Sequence, residues 1–295
     1  LQKISKKHGD NSVFASQSAM LAPQQSEEAS PMLFKSRPSL AGQRVIITGA
    51  SSGIGEALAV ECVRRGMHVG LVARRLDNLI RLAERLREQA GASVQIEVAQ
   101  LDVTDTDQVL PTLTGLADLL GGADVVIANA GILRLRKAGD GRMDKDAAIF
   151  ATNVMGAIAT SEAAISIFRD QGKGGRIVAI SSFSAFMPLP SSAAYSASKA
   201  AVTNYFNGIR GRLSREQIGV TVVHPSFVKT DMLNGISPRG LPLVSKAEDV
   251  AKEIVNAIAA GEANPVVPKH PWSWIHQIQR FAPEQLLFEI QKRLP

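Results

Sequence analysis

The chain has 295 residues, 45% apolar and 20% charged, the balance of a globular protein rather than a disordered or fibrous one, with length for one medium-sized domain and extensions. A single cysteine, Cys62, excludes an intrachain disulfide and a thiolate metal site, and the five histidines (His8, His68, His224, His270, His276) stand at no ligand-like spacing, so no metal is expected. A net charge of +6 with 5% aromatic residues and no long Lys/Arg run argues against nucleic acid, and no run of about 18 uninterrupted apolar residues signals a membrane-spanning helix.

Residues 1–42 are rich in Ser, Gln and Lys, carry Pro23, Pro31 and Pro38 and lack sustained periodicity, which predicts an extended or partly disordered arm. The arm begins at Leu1 rather than Met and is basic and Ser-rich. A processed targeting remnant for a mitochondrion or plastid fits that composition, and so does a plain linker. From Gln43 short β-branched runs alternate with helical patterns. Strands are expected at Arg44–Thr48, His68–Ala73, Val94–Gln100, Asp124–Ala128, Arg176–Ser181 and Gly219–His224. Helices are expected at Gly55–Arg65, Leu76–Gln89, Val109–Leu120, Asp146–Arg169 and Ser192–Arg215. Near-continuous apolar strands separated by helices imply an α/β fold: a doubly wound, Rossmann-type parallel sheet with helices on both faces, over residues 43–262. Such a sheet binds ligands beyond the carboxyl ends of its strands. Cys62 falls among apolar residues of the first helix and reads as a packed core thiol.

Beyond residue 262 the texture changes again. Trp272, Trp274, Ile275, Ile278 and Phe281, then Leu286, Leu287, Phe288 and Ile290, form two short amphipathic segments split at Pro283. Two readings of this tail, residues 263–295, are open: packing over a substrate cleft or neighbouring subunit, or a docking surface for a membrane or a large partner.

The chemistry-bearing motifs fall at strand ends. The first strand runs into Thr48-Gly49-Ala50-Ser51-Ser52-Gly53-Ile54-Gly55. Glycines there let the backbone approach a pyrophosphate closely, and a helix starting near Gly55 points free N–H groups at the anion. An NAD site usually carries an acid at the end of the second strand, but this chain reads Ala73-Arg74-Arg75. A carboxylate would repel the 2′-phosphate of NADP, whereas a guanidinium pairs with it. Arg74 is the expected partner, with Ser51 and Arg75 as helpers, and NADP(H) is the expected cofactor.

Tyr195 and Lys199 lie four residues apart, on one face of a helix. A carbonyl reduction needs a proton at oxygen while hydride reaches carbon. A free phenol, with pKa near 10, is a poor donor at neutral pH, and bringing it near 7 takes about 4 kcal/mol. One cation at about 4 Å in an effective dielectric of ~20 supplies that order, so Lys199 is expected to lower the phenol pKa.

The glycine loop, with three residues between its first two glycines, together with Tyr-x-x-x-Lys, resembles the short-chain dehydrogenase/reductase family over roughly residues 43–260. The resemblance implies further roles. Ser182, thirteen residues before Tyr195, matches the substrate-orienting serine, with Ser181 its rival for that position. Asn153 resembles the helix asparagine that holds a water linking the lysine to bulk solvent. Asp102 and Val103 match the adenine contact, and Asn129-Ala130-Gly131 the segment that braces the sheet beside the cofactor, with Ala128 in place of the usual first Asn. Pro225, Val228 and Thr230 match the nicotinamide contacts, with Ser226 where glycine is usual. Lys199 can also hydrogen-bond the nicotinamide ribose and so position the hydride, Tyr195 is counted with it among the cofactor contacts, and the resemblance implies a homodimer or tetramer.

The expected activity is therefore an NADP(H)-dependent carbonyl/alcohol interconversion, catalysed by Ser182, Tyr195, Lys199 and Asn153. Two alternatives stand beside it: a structural or cofactor-sensing subunit of a larger assembly, and a nucleotide-sugar epimerase, for which the C-terminal segment is short. Residues 232–245 have the composition of a substrate loop. Met232, Leu233, Ile236, Leu241, Leu243 and Val244, with Phe183, Phe186, Met187 and Leu189 opposite, predict an apolar pocket suited to lipid-derived or steroid-like carbonyls.

Overall fold

The computed structural model describes residues 39–233 and 243–292. The arm expected over residues 1–42 therefore lies almost wholly outside the described residues, as do Gly235, Ile236, Pro238, Gly240, Leu241 and Pro242 of the expected substrate loop. The sheet is built from β1 (Arg44–Thr48), β2 (His68–Ala73), β3 (Ile96–Gln100), β4 (Val125–Ala128), β5 (Gly175–Ile180), β6 (Ile218–Pro225) and β9 (Val266–Val267). Its order is β3-β2-β1-β4-β5-β6-β9, with every pairing parallel. A separate two-residue pair, β7 (Val228–Lys229) and β8 (Ser245–Lys246), flanks residues 234–242.

Strand alternation divides the core in two. Val45, Ile47, Val69, Leu71, Val125 and Ile127 point to one face, under α1 (Gly53–Arg64), α2 (Leu76–Ala90) and α7 (Ala247–Ala260). Ile46, Val72, Val126, Ile177, Ala179 and Val222 point to the other, under α3 (Thr106–Leu120), α5 (Gly156–Gln171) and α6 (Ala193–Leu213). A period of two along each strand thus fills both layers at once, which is why the strands read as continuous apolar runs. The helices follow the complementary period: Leu79, Leu82, Ala83 and Leu86 of α2 are its buried stripe. Cys62 sits in the first core at 1% exposure, its thiol pushed up to about 12 by burial.

Two expectations need correction. The helix read as continuous over Asp146–Arg169 is three pieces: α4 (Met143–Phe150), a π-turn at Ala151–Met155, and α5. The whole stretch is long and apolar enough to cross a membrane, yet Ala164, Ile167 and Phe168 bury against the sheet as core. The sheet also has a seventh strand, β9, too short for periodicity to reveal; it exists because His224 and Pro225 of β6 pair with Val266 and Val267. Beyond it, α8 (Trp272–Gln279) and α9 (Glu284–Gln291) are the two segments expected on either side of Pro283.

Candidate active site

The strand order reverses between β1 and β4, and there the carboxyl ends open a cavity of about 450 Å³. All the cofactor residues expected from the sequence line it, and so do Ser182, Tyr195 and Lys199; Asn153 does not.

At one end lies the glycine loop. Gly49 has φ +68° and a Cβ there would come within 2.7 Å of the Ala130 Cα, so only glycine lets β1 turn so close to the end of β4. Gly55 packs still closer to the Gly49 carbonyl, with Asn129 Nδ2 at 2.6 Å from where a Cβ would stand. Asn129 ties the two strand ends together: Nδ2 donates to the carbonyls of Thr48 (2.9 Å) and Gly49 (3.2 Å), and its own N–H donates to Thr48 Oγ1 (3.1 Å). Ser52, preceding α1, has extended backbone and makes no side-chain cap. The first N–H groups of α1 thus lack a side-chain acceptor, and the cradle fits the pyrophosphate of a dinucleotide.

The adenosine end carries charge. Arg75 donates to the hydroxyls of Ser51 (3.2 Å) and Ser52 (2.8 Å). Arg74 stands 3.5 Å from Asp102, with both side chains exposed. Burial alone would raise the Asp102 carboxyl, yet bonds from the Thr104 N–H and hydroxyl, and the nearby Arg74, hold it below the ordinary carboxylate range. Val103 packs against Gly156, where a Cβ would come within 2.6 Å of its side chain.

The other end holds the reactive groups. Ser182 and Ser181 are separated by their partners. The Ser181 hydroxyl is buried, donating to the Lys199 carbonyl at 2.9 Å and lying 2.8 Å from Thr203 Oγ1, so it fastens β5 to α6. Ser182 Oγ accepts from the Ser184 N–H (3.1 Å) and the Ser184 hydroxyl (2.9 Å), which leaves its own proton free to donate toward Tyr195. Ser184 was not expected from the sequence, because a serine four residues past a strand end carries no signal of its own. Lys199 is 4% exposed, with Nζ 2.8 Å from the Ile180 carbonyl and 5.7 Å from the Tyr195 ring centre.

Burial governs both titrating groups. It raises the Tyr195 phenol above its ordinary value despite the opposing Ser182 bond, and it draws Lys199 down from 10.5 to about 8. In the protein by itself the phenol thus moves opposite to the lowering expected beside an ammonium: desolvation of the phenolate is the larger effect, and the Ser182 bond is the one that opposes it.

Asn153 lies in the π-turn at 1% exposure. Its Oδ1 accepts from the Ile132 N–H (2.7 Å), and its Nδ2 donates to the Ile132 carbonyl (3.0 Å) and Ser198 Oγ (3.0 Å). The amide is fully engaged in holding the chain after β4 beside Lys199. A π-turn is the local distortion that re-aims one helical side chain, and the continuous helical reading had no means to detect it.

Pro225, Val228 and Thr230 line the cavity as expected, and Ser226 causes no strain, since the left-handed non-glycine residues among those described are Gln217 and Leu243. His224 is fully buried, with Nε2 3.2 Å from Thr203 Oγ1 and its pKa brought down to about 4 by burial. Of the expected apolar wall, Phe183, Met187, Leu189, Met232, Leu233 and Leu243 line the cavity. Phe186 does not, because its ring is stacked between His224 (4.5 Å) and His276 (4.1 Å). Val244 is exposed. The tail completes the wall through Trp272, Ile275 and Ile290.

Comparison with known proteins agrees with this architecture. Residues 43–239 match the family model described as short chain dehydrogenase. An uncharacterized oxidoreductase of Mycobacterium tuberculosis is 34% identical over 245 residues, which are 83% of this chain and 95% of that protein. The 11-beta-hydroxysteroid dehydrogenase-like 2 protein of Arabidopsis thaliana is 34% identical over 249 residues, 82% of this chain and 79% of that one. The crystal structure of a short chain dehydrogenase/reductase from Burkholderia phymatum in complex with NAD superposes with a TM-score of 0.73 at 24% identity, covering 85% of this chain and 96% of that one. The chain belongs to the short-chain dehydrogenase/reductase family of oxidoreductases.

Proposed function

We propose that the chain is an NADP(H)-dependent oxidoreductase that interconverts a carbonyl and a secondary alcohol on an apolar substrate. The observation that carries this reading is the convergence of Ser182, Tyr195 and Lys199 on the same cavity wall system as the pyrophosphate cradle at Gly49–Gly55.

NADPH, held by the Gly49–Gly55 cradle with Arg74 and Arg75, would supply the hydride. The protein's own groups do the rest. Ser182, made a donor by the two bonds it accepts from Ser184, orients the substrate oxygen and stabilises its developing negative charge. Tyr195 gives its proton to that oxygen as the carbonyl carbon is reduced, and in the reverse direction takes it back. A phenol that burial keeps protonated suits the donor role. Lys199 stands beside the phenolate that remains and favours it, while Asn153 keeps the backbone at Ile132 fixed next to that ammonium.

Support for NADP over NAD is electrostatic. The end of β2 presents Arg74 and Arg75 and no acid, and Arg74 has only the long contact to Asp102 to give up. Support for an apolar substrate comes from Phe183, Met187, Leu189, Trp272 and Ile275 around the reactive end, and from the name of the Arabidopsis relative. The test is oxidation of NADPH and, in parallel, NADH over a panel of carbonyl compounds. Turnover with NADPH on steroid-like or other lipid-derived ketones is expected. Turnover confined to NADH, or to sugars, contradicts it.

A further inference from the structure

The tail resolves into two faces. On α8, Trp272 and Ile275 turn inward and line the cavity, whereas Trp274 (69% exposed) and Ile278 (66%), one turn apart, are exposed, as is Phe281 (85%) in the turn that follows the helix. On α9, Leu286, Phe288 and Ile290 are exposed, and none of residues 284–290 is buried. An isolated eight-residue helix is not stable in water, so α9 needs something to pack on. Across the cavity, Met232 and Leu243 line the wall and are exposed as well. Apolar surface therefore continues from the cavity lining out over α8 and α9, rather than stopping at its rim.

We propose that α8 and α9 seat the protein on a lipid surface, with the cavity mouth facing the bilayer so that an apolar substrate passes from lipid to Tyr195. This rests on the apolar-substrate reading above for its purpose, but not for its physics. A second copy or a protein partner covering the same residues would stand over the cavity edge formed by Trp272, Ile275 and Ile290, whereas a fluid bilayer yields to a substrate. Trp274 on α8 and Arg280 at its end are the aromatic and cationic residue types suited to a headgroup boundary. Over residues 272–292 the formal charges cancel: Arg280 and Lys292 against Glu284 and Glu289, with Lys292 already bonded to Glu289 at 2.6 Å. Apolar burial rather than anionic attraction is then the driving force, and binding should survive salt.

The test is flotation of the full chain with vesicles of phosphatidylcholine, alone and mixed with phosphatidylglycerol, at low and high salt. The chain has two tryptophans, and Trp272 is already buried at 2% exposure. A blue shift of emission on adding vesicles therefore reports Trp274. Wild type and Tyr195→Phe should both float and shift with either lipid. The triple variant Trp274→Ser, Ile278→Ser, Phe281→Ser should bind vesicles about tenfold or more weakly, with unchanged Tm and unchanged turnover of a water-soluble carbonyl. The proposal is overturned if wild type stays with neither vesicle, if the triple variant floats as well as wild type, or if these residues instead hold a dimer that the triple variant loses. Because flotation needs no turnover, its failure is distinguishable from failure of the assigned activity.

Discussion

Lys199 shows what the reactive end costs the fold. Its ammonium is buried with a single carbonyl partner, Ile180, and its pKa falls from 10.5 to about 8. With the folded value depressed, the group's contribution is most favourable above pH 10.5 and declines as the pH falls toward 8. Below pH 8 the folded state carries a charge that burial disfavours, by about 3 kcal/mol at most. Lys199→Met is accordingly expected to raise Tm by several degrees while ending turnover; a lower Tm would contradict the burial account. At the adenosine end, removing Arg74 or Arg75 is expected to weaken NADPH by about tenfold or more and leave NADH nearly unchanged, since a charge-assisted bond to the phosphate is worth about 1.5–3 kcal/mol. Equal losses for both cofactors in titration calorimetry would show that the arginines serve the fold instead. The sequence made these residues legible because each is the kind of group its chemistry requires. It was silent on Ser184 and Ser198, whose hydroxyls matter only through the neighbours that folding brings to Ser182 and Asn153.

At the level of elements, β6 carries an acid-sensitive point. His224 is fully buried between Thr203 and the ring of Phe186, neutral, with its pKa brought from 6.5 to about 4. The unfolded chain takes up its proton near pH 6.5 and the folded chain does not, so stability is lost as the pH falls from about 6.5 toward 4. Urea midpoints across that range should fall less steeply in His224→Phe than in wild type, and parallel slopes would sink this assignment. The strands β1 and β2 stood out in the sequence because both faces of the sheet are covered, leaving unbroken apolar runs between turn residues. The π-turn at Ala151–Met155 and the two-residue β9 did not, for different reasons. A π-turn keeps helical composition and changes only the hydrogen-bond register, and β9 is specified by its partner on β6 rather than by any pattern of its own.

On the scale of the whole molecule, two apolar layers hold a rigid sheet whose carboxyl edge carries the cavity, while the tail closes one side of it. The outer surface of α4 and the π-turn leaves Met143, Phe150 and Met155 exposed, beside a second cavity of about 560 Å³. This is where we propose that copies of the chain associate. Phe150→Glu should lower the mass measured by light scattering, and an unchanged mass would place any association elsewhere. The tail's two open sequence readings turn out not to exclude each other, since one face of α8 packs inward and the other is bare. The central claim is that Tyr195 is the proton donor of a nicotinamide-dependent reduction. It is tested most directly by Tyr195→Phe, with NADPH affinity and single-turnover rate measured on the same preparation. The account predicts a rate lower by about 10²–10⁴-fold with affinity largely intact; an undiminished rate would contradict it.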